Sequence, residues 1–240
     1  MEYLFVLAVG LVAGTVSGIV GTGSSIMLMP VLIYVYGPKQ AVPIMAIAAV
    51  MANFSRILGW WREVDWRACA AYSAPAIPAA ALGARTLLVL PSHAADICIG
   101  VFLIAMVPAR HWLARHQLKL SLRHLAIGGA AIGYLTGIVV STGPLSVPLF
   151  LFYGLTKGAF LATEAASSLG IYVSKSVTFQ RFGALPVEVA VQGLIAGASL
   201  MVGAFVAKRF VLRLEPEVFR IIMDLIMIAA GLSTLWTAFS

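Results

Sequence analysis

The sequence predicts an all-α polytopic integral membrane protein. It has two inverted repeats, each a broken or re-entrant helical hairpin followed by three transmembrane helices. Three observations predict this. First, 61% of the 240 residues are hydrophobic and 10% are charged, with a mean hydropathy of +1.00. Soluble domains carry about 25% charged residues, and a soluble fold of this length cannot hide so much apolar surface. Second, two apolar stretches, "TVSGIVGTGSSIMLMPVLIYVYG" at 15–37 and "YLTGIVVSTGPLSVPLFLFYG" at 134–154, are interrupted by Gly, Ser, Thr and Pro in the same order. Third, the basic residues favour one face of the membrane only if each broken stretch returns to the side it entered.

The elements follow in chain order. The opening "MEYLFVLAVG" has no basic residue before its apolar run and no small-residue cleavage site leading into polar sequence. It is expected to stay as a membrane segment rather than leave as a signal peptide. Residues 3–37 form the first broken segment. Plain spans of the required ~20 apolar residues are expected at 41–61, 68–90 and 93–110. The basic stretch "ARHWLARHQLKLSLRH" at 109–124 divides the chain. It gives a first repeat over 1–115, a cytoplasmic linker over 116–123 and a second repeat over 124–240. The second broken segment covers 124–155, and plain spans are expected at 158–180, 187–208 and 217–238. A shift of 119 residues carries Asn53, Arg56 and Trp60 onto Tyr172, Lys175 and Phe179. Each set places a polar residue, a cation and an aromatic at i, i+3 and i+7, which is one helix face.

Loop charges decide between two threadings, with the central linker placed in the cytoplasm. If each broken segment crosses once, the inside loops hold seven Lys and Arg and the outside loops six. If each is a hairpin, ten lie inside (Arg62, Arg67, Arg110, Arg115, Lys119, Arg123, Lys157, Lys208, Arg209, Arg213) and three outside (Lys39, Arg85, Arg181). Only the second obeys the positive-inside rule. It puts both termini outside the cytoplasm in a multi-pass inner (plasma) membrane protein. It also makes the crossings per half odd, so the halves are inverted. That is a common plan for secondary transporters, with the substrate near the midplane.

Broken backbone at membrane depth must line protein or a water-filled cavity. The positive ends of half-helices there favour an anion. The candidate anion cradle is Thr22, Gly23, Ser24 and Ser25 with Ser141, Thr142 and Gly143, where glycine admits close backbone approach and hydroxyls donate without charge. The same small residues also suit plain helix packing. Arg56 and Lys175 are intramembrane cations, functional by default, although each is near enough to a helix end to snorkel. Asn53 shares the Arg56 face. Glu164 is a candidate proton acceptor, but its place one or two turns into a helix favours a solvated interfacial carboxylate. Arg220 and Asp224, four apart, are expected to pair. Cys69 and Cys98, with no CxxC spacing, read as buried thiols.

Other function classes lack their residues. The histidines, His93, His111, His116 and His124, sit at or near segment ends, which weakens the case for a Ser-His hydrolase or a metal centre. There is no P-loop. The net charge of +7 is spread over loops that set orientation, so nucleic acid is not an expected partner. No catalytic residue, cofactor or metal is expected. The partners are the bilayer and a small anionic substrate, with homodimerisation left open.

The segments "SGIVGTGSSIMLMPVL" and "TGIVVSTGPLSVPLFLFYG", with "ANFSRILGWWREVDW" after the first and "QRFGALP" at the matching point of the second, resemble the sulfite exporter TauE/SafE family across the whole chain. Pro144 departs from that pattern. The resemblance implies a secondary transporter of small sulfur-containing anions such as sulfite or organic sulfonates. A passive anion channel of the same architecture is the alternative.

Overall fold

The computed structural model describes residues 2–20, 24–115, 119–139, 142–155 and 157–210, with scattered helical positions between 221 and 236. Among the described residues there are helices and no strands. The helices are α1 (Glu2–Val20), α2 (Ser24–Tyr36), α3 (Pro38–Trp60), α4 (Trp66–Val89), α5 (Ser92–Arg115), α6 (Leu122–Ile138), α7 (Gly143–Tyr153), α8 (Lys157–Arg181) and α9 (Val187–Phe210). A 3-10 turn at Trp61–Glu63 joins α3 to α4. The span expected at 217–238 lies largely outside the described residues.

Both broken segments divide where Gly, Ser and Thr interrupt the apolar run. The 11 residues of α7 reach about 16 Å at ~1.5 Å each. That is half of a hydrocarbon core ~30 Å thick. α2, with 13 residues, falls short as well. The Leu120 amide donates to the Phe152 carbonyl at 3.0 Å, so the start of α6 lies beside the end of α7. Gly128 faces Leu149 further in, and the Thr136 and Thr142 hydroxyls hydrogen-bond to each other at the tip. α6 and α7 are therefore an antiparallel hairpin. Each short helix ends in Tyr-Gly, and Gly37 and Gly154 have φ of 76° and 110°. This left-handed backbone, open to glycine at no steric cost, turns the chain into the next helix.

α3 and α8 lie at the centre and run antiparallel. Arg56 meets Glu164, and nearer the end of α3 Trp60 lies against Gly158. α4 runs parallel to α8, with Asp65 beside Thr163 and Ile77 beside Gly170 and Ser174. α9 runs parallel to α3, with Gly193 against Ile44 and Ile47, and Gly197 against Met51. Two flanking pairs complete the bundle, α4 with α6 and α1 with α9. Exchanging α1 for α6, α2 for α7, α3 for α8 and α4 for α9 maps the α3–α8 pairing onto itself and turns each of the others into another member of the set.

Both flanking pairs meet through glycine. Gly129, Gly133 and Gly137 of α6 lie against the backbone of Tyr72, Ala76 and Ala80 of α4, where any Cβ would overlap. Gly14 of α1 meets Leu200 of α9 in the same way, and Gly203 of α9 meets Leu11. Small residues at four-residue spacing let membrane helices touch along their backbones, which supplies dispersion contacts that lipid cannot match.

Among the described residues only two helices are both long and apolar enough to cross a membrane by composition, at Gln40–Glu63 and Val187–Ala204. The sequence led us to expect six such plain spans. α4 and α8 have the length, at 24 and 25 residues. Their interiors are less apolar because α4 carries Pro75 and Pro78 and α8 buries Thr163, Glu164, Ser167, Lys175 and Thr178. In α8 the polar side chains face the bundle rather than the outside.

Candidate functional site

Two polar clusters form where the central helices meet the second hairpin. In the first, Arg56 of α3 and Glu164 of α8 make an ion pair at 3.0 Å, with the side chains 13% and 4% exposed. The Asn53 carbonyl oxygen, one turn back on α3, accepts from the other terminal guanidinium nitrogen. The Asn53 amide in turn donates to Ala49 O at 2.8 Å, which fixes its orientation. The second Glu164 oxygen accepts from Ser168 at 2.9 Å and from Ser146 of α7 at 3.5 Å. Arg56 Nε is buried and has no partner.

This placement corrects the expected interfacial position of Glu164. The turn at Trp61–Glu63 and the start of α4 fold over the first turns of α8. Trp60 and Glu63 cover Gly158, and the Asp65 amide donates to Thr163 at 2.9 Å. Asp65 caps α4 by accepting from the Arg67 and Ala68 amides, which holds the cover in place. A carboxylate seven residues into α8 is thus deep within protein, and burying it requires the partners it has.

In the second cluster Lys175 is fully buried on α8. Its ammonium donates to the carbonyls of Thr136 at 2.5 Å and Val139 at 2.6 Å and lies 5.7 Å from the centre of the Phe179 ring. These carbonyls belong to the last turn and C-cap of α6, where helix geometry leaves acceptors unpaired and the dipole is negative. Lys175 does not snorkel; it fastens the tip of the hairpin to α8. Among the described residues no carboxylate lies within ion-pair distance of it.

The first turn of α7 joins the clusters. Thr142, its N-cap, is buried against Thr136, and the Thr142 carbonyl accepts from the Leu145 and Ser146 amides. Ser146 donates to Gly143 O at 3.1 Å and reaches Glu164. Ser24 and Ser25 open α2 and are buried. Thr22, Gly23 and Ser141 lie outside the described residues. The structure therefore brings Asn53 and Arg56 together, joins Thr142 to Lys175, and adds Glu164, Ser146, Ser168 and Thr136. The sequence signal for the added residues was a carboxylate and hydroxyls inside an otherwise apolar pattern.

Other residues singled out in the sequence lie elsewhere. Cys69 is buried but Cys98 is exposed, unlike the expected pair of buried thiols. Asp224 lies 3.4 Å from His111 Nε2 at the end of α5, and Arg220, its expected partner, lies outside the described residues. No group of three or more metal-ligating side chains occurs among the described residues. Two surface grooves follow the flanking seams, one at Leu82, Arg85 and Tyr134 and one at Leu7, Leu11 and Val202. Neither reaches Arg56, Glu164 or Lys175, so they are not the central polar cavity that two facing breaks suggest.

A protein-family model described as "Sulfite exporter TauE/SafE" matches residues 6–234. No curated protein and no solved structure matches the chain.

Proposed function

Because the chain belongs to the sulfite exporter TauE/SafE family, whose members are membrane transporters, we propose that it is a secondary transporter of small sulfur-containing anions, sulfite or organic sulfonates. The observation that carries this reading is the charge balance of the buried centre. Arg56 is neutralised by Glu164, whereas Lys175 has carbonyl partners only. With Lys175 protonated the site holds one more cation than anions, and a bound anion would balance it. Hydroxyls of Ser24, Ser25 and Thr142, with Asn53 and Arg56, are the donors we assign to it. Thr22, Gly23, Ser141 and Gly143 belong to the same proposed cradle from the sequence.

The architecture we infer is a pair of inverted repeats, 1–115 and 124–240, around a cytoplasmic linker at 116–123. The helix directions support it. Hairpins leave an odd number of crossings per half, so α3 opposes α8, while α4 follows α8 and α9 follows α3. Single crossings would reverse all three relations. The ten-to-three loop charge supports a cytoplasmic linker in a plasma-membrane protein, with both termini outside. Trp60, Trp61 and Trp66 are exposed at the inner end of α3 and α4, as an interfacial aromatic belt requires.

Thermal shift of the purified protein against sulfite, sulfate, methanesulfonate and acetate tests the reading, since a ligand of the folded state raises apparent stability. The sulfur anions should stabilise the wild type, and Arg56→Gln should lose the effect. Flux into vesicles should saturate and respond to a second ion. Linear, uncoupled flux would favour the channel.

A further inference from the structure

We propose that Glu164 is a coupling residue: its carboxylate and the substrate anion take turns on Arg56, and each anion bound takes up one proton onto Glu164. This rests on the transporter reading above and adds the coupling ion and its carrier.

The geometry gives the exchange its parts. The guanidinium spends one terminal nitrogen on Glu164 and the other on Asn53, while Nε remains buried and unpartnered. An incoming anion thus finds one open donor on a cation whose charge is already balanced. If the carboxylate stayed ionised, two anions would share one guanidinium in a buried space, which electrostatics opposes. Protonation of Glu164 removes that conflict. The proton adds to the oxygen facing Arg56, the ion pair opens, and the anion takes the released nitrogen. The other Glu164 oxygen keeps its serine donors, Ser168 and Ser146, throughout.

Among the nearby carboxylates the surroundings leave Glu164 as the one placed to do this. From α3 it faces Arg56. From the covering turn and the start of α4, Glu63 lies against Gly158, and the Asp65 carboxylate is occupied by two backbone amides. Tyr72 of α4 is within electrostatic reach. α7 contributes the Ser146 hydroxyl. Lys175 is on the same helix three turns away, held by the α6 carbonyls. Ser146 also links the exchange to movement, because a change of charge on Glu164 is felt at the first turn of the hairpin helix α7.

The exchange also predicts an asymmetry between the halves. The shift of 119 residues that pairs Arg56 with Lys175 pairs Glu164 with Met45, a buried apolar residue. Only one of the two cations therefore has a titratable partner, and one proton per cycle follows.

The test is calorimetry of methanesulfonate, whose charge is constant near neutral pH, binding to the full-length protein in buffers of different ionisation enthalpy. The wild type should take up close to one proton per anion at pH 7.5, and its Kd should rise about tenfold per pH unit through the alkaline range. Glu164→Gln should bind at least tenfold more tightly at pH 7.5, with no proton uptake and a flat pH profile. Wild-type binding without proton uptake overturns the inference, whether or not the Gln variant folds. So does uptake that persists in Glu164→Gln. Unchanged binding in Arg56→Gln, or none in the wild type at pH 5.5, would instead overturn the site assignment beneath it.

Discussion

Breaking the Arg56–Glu164 pair from one side should cost far more than removing it altogether. At 3.0 Å and an effective dielectric of ~20, the attraction is about 5 kcal/mol. Much of that is offset by the cost of taking both charges out of water. Arg56→Gln strands a carboxylate whose remaining donors are two serine hydroxyls, and such uncompensated charges cost about 3–5 kcal/mol. Glu164→Gln strands the guanidinium, which keeps Asn53 and is slightly more exposed, so its loss should be smaller, about 2 kcal/mol. The double variant, with two amides able to bond each other, should lose no more than either single change. The coupling energy should then be at least about 3–5 kcal/mol. Reversible unfolding in mixed micelles measures all four proteins. Additive losses, or a wild-type midpoint for Arg56→Gln, would show that the two groups are not partners in the folded protein.

Four further predictions concern other parts of the molecule. Gly133→Leu drives a side chain into the Ala76 backbone and should destabilise by more than the ~1–3 kcal/mol typical of overpacking. Gly59→Ala, with nothing near its Cβ, should raise stability by up to about 1 kcal/mol; thermal unfolding compares them. Lys175→Met leaves the Thr136 and Val139 carbonyls without their donor, at about 1–3 kcal/mol each, less the cost of the buried charge it removes. Vesicle flux should fall with it, and wild-type flux would show that the ammonium serves neither substrate nor hairpin. Finally, with Cys69 and Cys98 replaced by serine, Arg62→Cys should react with an impermeant thiol reagent only from the cytoplasmic side, and a reporter after Ser240 should report the opposite side; the reverse pattern would reject the threading.

Much of the helical layout was legible because membrane helices are long apolar runs and their breaks are written in Gly, Ser, Thr and Pro. The face shared by Asn53 and Arg56 was legible too, since local spacing fixes it. The Glu164 pairing was not. Arg56 and Glu164 are 108 residues apart, and nothing in either segment alone selects the other. Position along α8 suggested water, but depth depends on what covers a helix end, and the cover comes from the turn after α3. Lys175 was visible as an intramembrane cation, while its carbonyl partners were not, because acceptors at a helix end carry no residue signature. Hydropathy also understated α8, whose polar groups face inward.

The glycine seam between α1 and α9 has a consequence for how the protein is made. α1 reaches the membrane before α2 to α9, yet its closest neighbour begins at Val187. Most of the chain must be synthesised before α1 can settle. Until then Gly10 and Gly14 face lipid or a chaperone rather than α9, with the backbone ridge that should cover them still unbuilt. A chain truncated ahead of α9 has no means of closing that seam. Assembly therefore waits on late synthesis, and an unfinished copy is one whose α1 groove is still open.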